Sequence, residues 1–342
     1  MIDGGKAFVS LKYMTMSNKE EYKEICKRHP EIPVFSQYWW MNASNGDNWD
    51  VLIIRDKANN VIATMPFAIF KKFGFTLISQ HEFCQHTGPF IFYPDTVFEG
   101  RLATYKKLVF EEKIFQKIID QLEEMHVDMF WQNFSPRITN HLPFHWAGFK
   151  QYTRYTYRIP NIGDSEELFS RICISKQQYI RKAQKRGFVT TFDMPIDEFL
   201  DFHRRTYKER GKDDLLDKWN SRRFIEEAKK NGQGTLVCTR DTEGNPLSAY
   251  FLVWDSEWAY YIWLGVDQKR KGEGAPSLMI WDSLEYLKGK TKGFDFEGSM
   301  NQGIGSSHRE FGAELVPFIH VHKYYSKTFK ILDYLRGTAK RR

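Results

Sequence analysis

The apolar positions along the chain change their spacing several times, and each change marks an element. Val51-Leu-Ile-Ile-Arg55 is a short unbroken apolar run, the pattern of a buried strand. Asp56 to Asn60 is polar and turn-forming, and Val61-Ile-Ala-Thr-Met65 resumes the apolar run, so a hairpin is expected. Phe75 to Ile78 predicts another short strand. From Glu111 to Met125 the apolar residues Ile114, Phe115, Ile118, Ile119 and Leu122 recur at the spacing of an amphipathic helix. Asp128 to Trp131 predicts a strand after it, and a polar helical stretch, Asn18 to Arg28, precedes the whole series.

The second half runs in the same order. Helical stretches at Lys176 to Lys185, Pro195 to Arg210 and Ser221 to Lys230 are followed by strands at Thr235 to Thr239 and Leu247 to Val253, joined by a turn over Arg240 to Asn245. Trp258 to Val266 predicts a third strand, Ser277 to Leu287 a helix, and Gly293 to Glu297 a last strand. Leu52-Ile-Ile-Arg55-Asp56 with Asn59 and Ala63 aligns with Leu236 to Asp241 with Asn245 and Ala249, the second turn reading one residue longer. Asp120-Gln-Leu122-Glu123 aligns with Asp282-Ser-Leu284-Glu285. An ordered set of matches of this kind indicates duplication. The joint is expected near Tyr157 to Ser165, where Pro160, Asn161 and Gly163 break the pattern. The expected architecture is α/β (α+β): two similar units, 1–157 and 158–342, each a mixed sheet flanked by helices.

Composition supports a folded chain. Of 342 residues, 42% are hydrophobic and 27% charged. Aromatic residues make up 16%, enough to build cores or to line a groove. The net charge of +7 suits an anionic ligand or a mildly basic surface, and Lys340-Arg341-Arg342 forms a basic tail. Four cysteines without a CxxC pair suit a reducing compartment. No run approaches the roughly 20 apolar residues of a membrane span, and Met1 to Ser10 lacks the order of a signal peptide, so a cytoplasmic protein is expected. His81, Cys84 and His86 match no metal template, and none is expected. GxSxG, Walker and Rossmann patterns are absent.

Two segments carry candidate chemistry. In Gly293-Phe-Asp-Phe-Glu-Gly-Ser-Met300, strand alternation would put Asp295 and Glu297 on one face, where a carboxylate can accept a proton from an amine or hydroxyl nucleophile. The alternative for Asp295 is structural pairing with an arginine. In Ser306-Ser-His-Arg-Glu-Phe-Gly-Ala313, Arg309 can clamp an anion or pair with a nearby acid, and His308 can act as a base. Arg181, Lys182, Lys185 and Arg186 form a basic helical cluster that suits an anionic acceptor, RNA or plain solvent. His320 and His322 share one strand face and read as structural.

A hairpin followed by a helix and a further strand resembles the skeleton of GNAT-type acyltransferases, and the chain carries two. Phe294-Asp-Phe with Phe311-Gly-Ala resembles the closing motif of the FemABX-type aminoacyl or peptidyl transferases and of related predicted acetyltransferases of bacterial polysaccharide loci. Tyr155-Thr-Tyr157 and the basic helix Tyr179 to Gly187 fit the same superfamily, and Gln85-His-Thr-Gly-Pro89 resembles its substrate-cleft loop. The resemblance spans residues 35 to 325. It implies tandem GNAT-like domains, a cleft between them, and transfer of an acyl or aminoacyl group to an amine. Asp295, Glu297 and Arg309 would then be catalytic, and Gln85, His86, Arg181, Lys182, His308 and Phe311 would bind substrate. Gln268-Lys-Arg-Lys-Gly-Glu-Gly-Ala275 looks like the GNAT pyrophosphate loop, which implies an acyl-CoA donor held by Arg270, Lys271, Gly272 and Gly274. The chain departs from the peptidyl transferases where they carry Phe-Lys. Here Ser307 and His308 stand there, and no heptad run provides a coiled-coil arm. These departures favour the acetyltransferase branch over a charged-tRNA donor.

The resulting expectation is direct acyl or aminoacyl transfer to an amine of a cell-envelope or polysaccharide precursor. The partner would be a small molecule or glycan precursor, with tRNA a second donor and DNA excluded. The protein would be a monomer or dimer. The competing expectation is a degenerate tandem module that binds a ligand without turnover.

Overall fold

The computed structural model describes residues 17–80, 83–94, 98–214, 216, 220–298 and 300–339, with side chains as far as 335. His81 of the His81-Cys84-His86 group and the basic tail lie outside the described residues. In the first half the order is α1 (Asn18–Arg28), α2 (Tyr38–Asn45), β1 (Trp49–Arg55), β2 (Val61–Lys72), β3 (Phe75–Ser79), β4 (Phe90–Ile91), α3 (Ala103–Glu124), β5 (Met129–Asn133), α4 (Leu142–Trp146) and β6 (Lys150–Ile159). The second half gives α5 (Ser165–Arg171), α6 (Ile174–Lys185), β7 (Val189–Thr191), α7 (Ile196–Glu209), α8 (Ser221–Lys230), β8 (Gly234–Arg240), β9 (Pro246–Trp254), β10 (Trp258–Val266), α9 (Ala275–Leu287), β11 (Gly293–Asp295), α10 (Gln302–Arg309), β12 (Glu314–Tyr324) and α11 (Lys327–Ala339).

The strands join one mixed sheet in the order β1-β2-β3-β5-β12-β6-β11-β10-β9-β8-β7, with β4 on β2. Among the strands of the described residues, β3 with β5 and β10 with β11 run parallel. In each half these are the strand after the hairpin and the strand after the next long helix, so each half builds one topology. The last strands are exchanged: β12, from the C-terminal end, pairs with β5, and β6 pairs with β11. The two lie antiparallel at the centre of the sheet, from Glu314 opposite Arg158 to His322 opposite Lys150.

The duplication persists atom by atom in the first hairpin of each half. The Asp56 side chain accepts from the backbone N–H of Ala58 and Asn60, and that of Asp241 from Glu243 and Asn245. Arg55 donates to the carbonyl of Asn59 and Arg240 to that of Gly244, both left-handed positions. Each arginine also pairs with a helix glutamate, Arg55 with Glu21 and Arg240 with Glu198. Both aspartates close their turns on the fourth residue onward. The turns are therefore equal in length, and Asn245 corresponds to Asn60 rather than to Asn59. Ala63 then aligns with Ser248, not Ala249.

Apolar side chains of α3 pack on β1, β2, β3 and β5, while α6 and α9 cover β8 to β11. A third cluster unites the halves: Trp39 and Trp40 of α2 pack with Phe224 of α8 and with Phe251 and Tyr260 of the second sheet half. The Asp255 carboxyl, its pKa pushed up to about 7 by burial, receives the backbone N–H of Val34, which ties the first segment to the turn after β9.

Candidate functional site

The site is built where β11 ends. Asp295 is the last ladder residue, and Glu297 (φ 58°) and Gly298 (φ 67°) then turn left-handed in succession. Strand alternation therefore no longer sets the Glu297 side: the ladder ends at Asp295, and Glu297 itself is left-handed. Gly298 is required there, because a Cβ would stand 2.7 Å from the Tyr155 carbonyl oxygen.

Asp295 is fully buried and both of its carboxylate oxygens are engaged. Oδ2 takes the Arg158 Nε–H at 2.6 Å, and Oδ1 accepts from Thr156, from Gln85 Nε2 at 3.1 Å and from the Glu297 N–H at 2.7 Å. Arg158 lies opposite Asp295 in the β6–β11 ladder, with its guanidinium 4.1 Å over the Trp258 ring. Gln85 reaches this pair from the first half, held by Asn133 Nδ2 on its carbonyl at 2.9 Å. His86 is buried behind it, edge-on to Phe35 and Tyr260, with neither ring nitrogen bonded, and burial lowers its pKa to about 3. Asp295, Glu297, Gln85 and His86 are thus brought together.

Glu297 and Gly298 are the common wall of two cavities. The first, about 210 Å³, is bounded by Gln80, Gln85, Trp131, Asn133, Arg154 and Phe318. It opens where β3 and β5 part. The second, about 370 Å³, opens where β10 and β11 part and is bounded by Tyr261 to Leu264, Phe296, His308, Tyr207, Arg210 and Lys212. Burial and the neighbouring Asp295 charge push the Glu297 carboxyl up to about 8, against the pull of Arg154. Across the second cavity the β10 register skips Trp263 and Leu264, and Trp263 has φ 58°. A bulky residue in that region is strained, and such strain gathers at functional sites. His308 lies 2.7 Å from the Tyr261 hydroxyl and stacks on Phe296. Burial, with Lys176 adding, lowers its pKa to about 4, so the ring is neutral at pH 7.

Other residues singled out in the sequence lie apart. Arg309 is exposed on the last turn of α10 and lines neither cavity. Phe311 is buried against Phe296 beneath Lys176. Arg181 lies over the Phe169 ring, and Lys182 donates to the Gly272 carbonyl at 2.9 Å, both on the outer side of α6. Sequence reasoning missed Arg154, Thr156, Arg158, Tyr261 and Trp263. Of these, only the alternation of Arg154, Thr156 and Arg158 along one strand left a signal.

The loop before α9 does not fit a pyrophosphate. Arg270 is tied to Asp241 and Glu273, and Glu273 also pairs with Arg186 at 2.7 Å. Gly274 (φ 98°) is packed under α6, where a Cβ would stand 2.2 Å from the Tyr179 carbonyl oxygen. The start of α9 is thereby covered, and of Arg270, Lys271, Gly272 and Gly274 only Lys271 and Gly272 are exposed. Gly274→Ala is expected to destabilise the fold by about 1–3 kcal/mol, read as a lower urea midpoint. An unchanged midpoint would show that α6 does not clamp the loop.

Residues 175–305 match the family model described as the Acetyltransferase (GNAT) domain. No curated protein matches the chain by sequence. Among solved structures the chain is similar to FemX, with a TM-score of 0.68 at 13% identity over 89% of this chain and 96% of that one. It is also similar to L-PGS from Bacillus licheniformis (TM-score 0.56, 10% identity, 97% and 99% covered). A third is the C-terminal domain of a putative lysylphosphatidylglycerol synthetase from Agrobacterium fabrum (0.52, 11%, 92% and 96%). The repeated topology, the parted strands in each half and these likenesses agree on the fold: residues 175–305 match a GNAT domain, in a chain with the FemABX-like tandem GNAT fold.

Proposed function

We propose that the chain is an N-acyltransferase in which Glu297 is the general base and the two cavities hold acceptor and donor on either side of it. The observation that carries this reading is the placement of the Glu297 carboxyl in the shared wall of both cavities, next to Asp295, where burial and that charge push its pKa up. A base with a pKa near working pH accepts a proton readily and still releases it. We retain the division into units 1–157 and 158–342, with exchanged last strands, so that the acceptor cavity is walled mainly by the first.

The acceptor amine attacks the donor carbonyl carbon, the C–N bond forms, and the carbonyl electrons move to oxygen. Glu297 takes the amine proton. The tetrahedral adduct then collapses, the bond to the leaving sulfur or oxygen breaks, and the proton passes to that leaving group. Backbone around Trp263 and Leu264, outside the ladder, is positioned for the oxyanion. Asp295 positions rather than reacts: its oxygens fix Gln85, Thr156 and the Glu297 backbone. Arg154 in the acceptor cavity and Arg210 and Lys212 in the donor cavity would meet anionic groups. Tyr261 holds the His308 ring at the donor cavity. Tyr261→Phe is expected to cost several-fold in kcat/KM, the worth of one neutral hydrogen bond, with the melting temperature retained; an equal loss of both would make the pair structural.

An acyl-CoA thioester is the donor that the matched acetyltransferase domain suggests, with its nucleotide end placed elsewhere than on residues 270–274. The name of one neighbour, lysylphosphatidylglycerol synthetase, suggests an aminoacyl ester as the second donor to try. For the acceptor we favour an amine of a cell-envelope or polysaccharide precursor. The test is transfer from acetyl-CoA, and separately from charged tRNA, to a panel of amino sugars and nucleotide-linked amino sugars. Transfer that disappears in Glu297→Gln supports the proposal. Ligand binding without turnover from either donor would make the chain a binding module.

A further inference from the structure

We propose that α11 and the β2–β3 turn together form a docking face for an anionic lipid bilayer. This inference stands on that face alone and not on the catalytic reading. Among the described side chains of helix α11, Phe329 is the buried one, 5.1 Å from Phe75 and 6.3 Å from Tyr324. On the other side Ile331, Tyr334 and Leu335 recur at helical spacing, 56–72% exposed, with Leu332 beside them at 43%. The neighbouring turn exposes Phe73 at 67%. Phe73, Phe75, Phe329 and Leu332 line one apolar cavity of about 280 Å³, which makes turn and helix a single surface. A contiguous apolar face of this kind marks a contact surface.

The charges select the occupant. Lys71, Lys72, Lys327 and Lys330 are all exposed around the apolar residues. The Asp333 carboxylate, the acid within the face, accepts from the Tyr324 hydroxyl. A second copy docking through a two-fold axis would set the same lysines against each other. A bilayer accepts both features at once: aromatic and aliphatic side chains enter the headgroup boundary, and lysines meet lipid phosphates. No helix among the described residues is long and apolar enough to cross a membrane, so the chain would lie on the surface through this face.

The test is co-sedimentation of the full chain with vesicles of phosphatidylcholine alone and of phosphatidylcholine with phosphatidylglycerol, at low and high salt. Binding to the anionic vesicles, weakened by salt, is expected. Ile331→Ser with Tyr334→Ser should abolish it, and each Lys→Glu change among the four lysines should weaken partitioning by about fivefold or more. These positions are exposed, so melting temperatures should be unchanged. Binding that survives these substitutions, absence of binding to anionic vesicles, or a dimer that the serine substitutions dissociate would overturn the proposal. A soluble anion as the true ligand would show as competition by inorganic phosphate at millimolar levels without vesicle binding, which also overturns it.

Discussion

Replacing Glu297 with Gln is expected to lower kcat/KM by about 10²–10⁴, the usual worth of a positioned general base, while leaving the fold intact. The amide fills the same space and keeps the left-handed turn, so the loss should fall on kcat. The wild-type rate should rise with pH through an apparent pKa near 8, since only the carboxylate can accept the amine proton. The variant should lose that limb. Stability should move the opposite way. The folded-state carboxyl binds its proton up to about pH 8, whereas the unfolded chain releases it near 4.5. Stability from this group is therefore complete below about 4.5 and lost as pH rises to about 8. The Gln variant escapes the loss, so its melting temperature should match wild type at pH 5 and exceed it at pH 8.5. A variant that is inactive and also less stable at pH 8.5 would place Glu297 in the scaffold instead.

The second large effect is expected at Arg158. Arg158→Met should cost about 3–5 kcal/mol, because it leaves the Asp295 carboxylate buried without its counter-charge. The pair also sits at the exchange point of the sheet, where β6 of the first half meets β11 of the second. The loss should thus appear as a lowered unfolding midpoint for the whole chain rather than for one half. Adding Asp295→Asn should recover part of it, since a neutral amide needs no counter-charge. The two single and one double variant form a cycle that isolates the coupling. Additive effects would mean that the pair contributes nothing beyond its separate contacts.

Much of this protein was legible as sequence because its elements are set by local rules. The unbroken apolar runs gave β1, β8 and β10, the three-and-four spacing gave α3, and Asx chemistry at Asp56 and Asp241 fixed both hairpins. The Asp295–Glu297 segment was also visible, since two carboxylates beside a glycine are unusual in a core strand. What the chain order did not reveal is the exchange of β6 and β12. Both strands mix polar and aromatic residues, because they lie mid-sheet with cavities beside them, and nothing local states their partners. Nor could spacing show that Glu297 leaves the strand, or that Arg158 and Gln85, 137 and 210 residues from Asp295, converge on its oxygens. Spacing along a chain determines which face a side chain takes within one element. Desolvation, counter-charges and cavities arise only when distant elements pack, and here they alone distinguish the buried carboxylate that holds the site from the one that faces it.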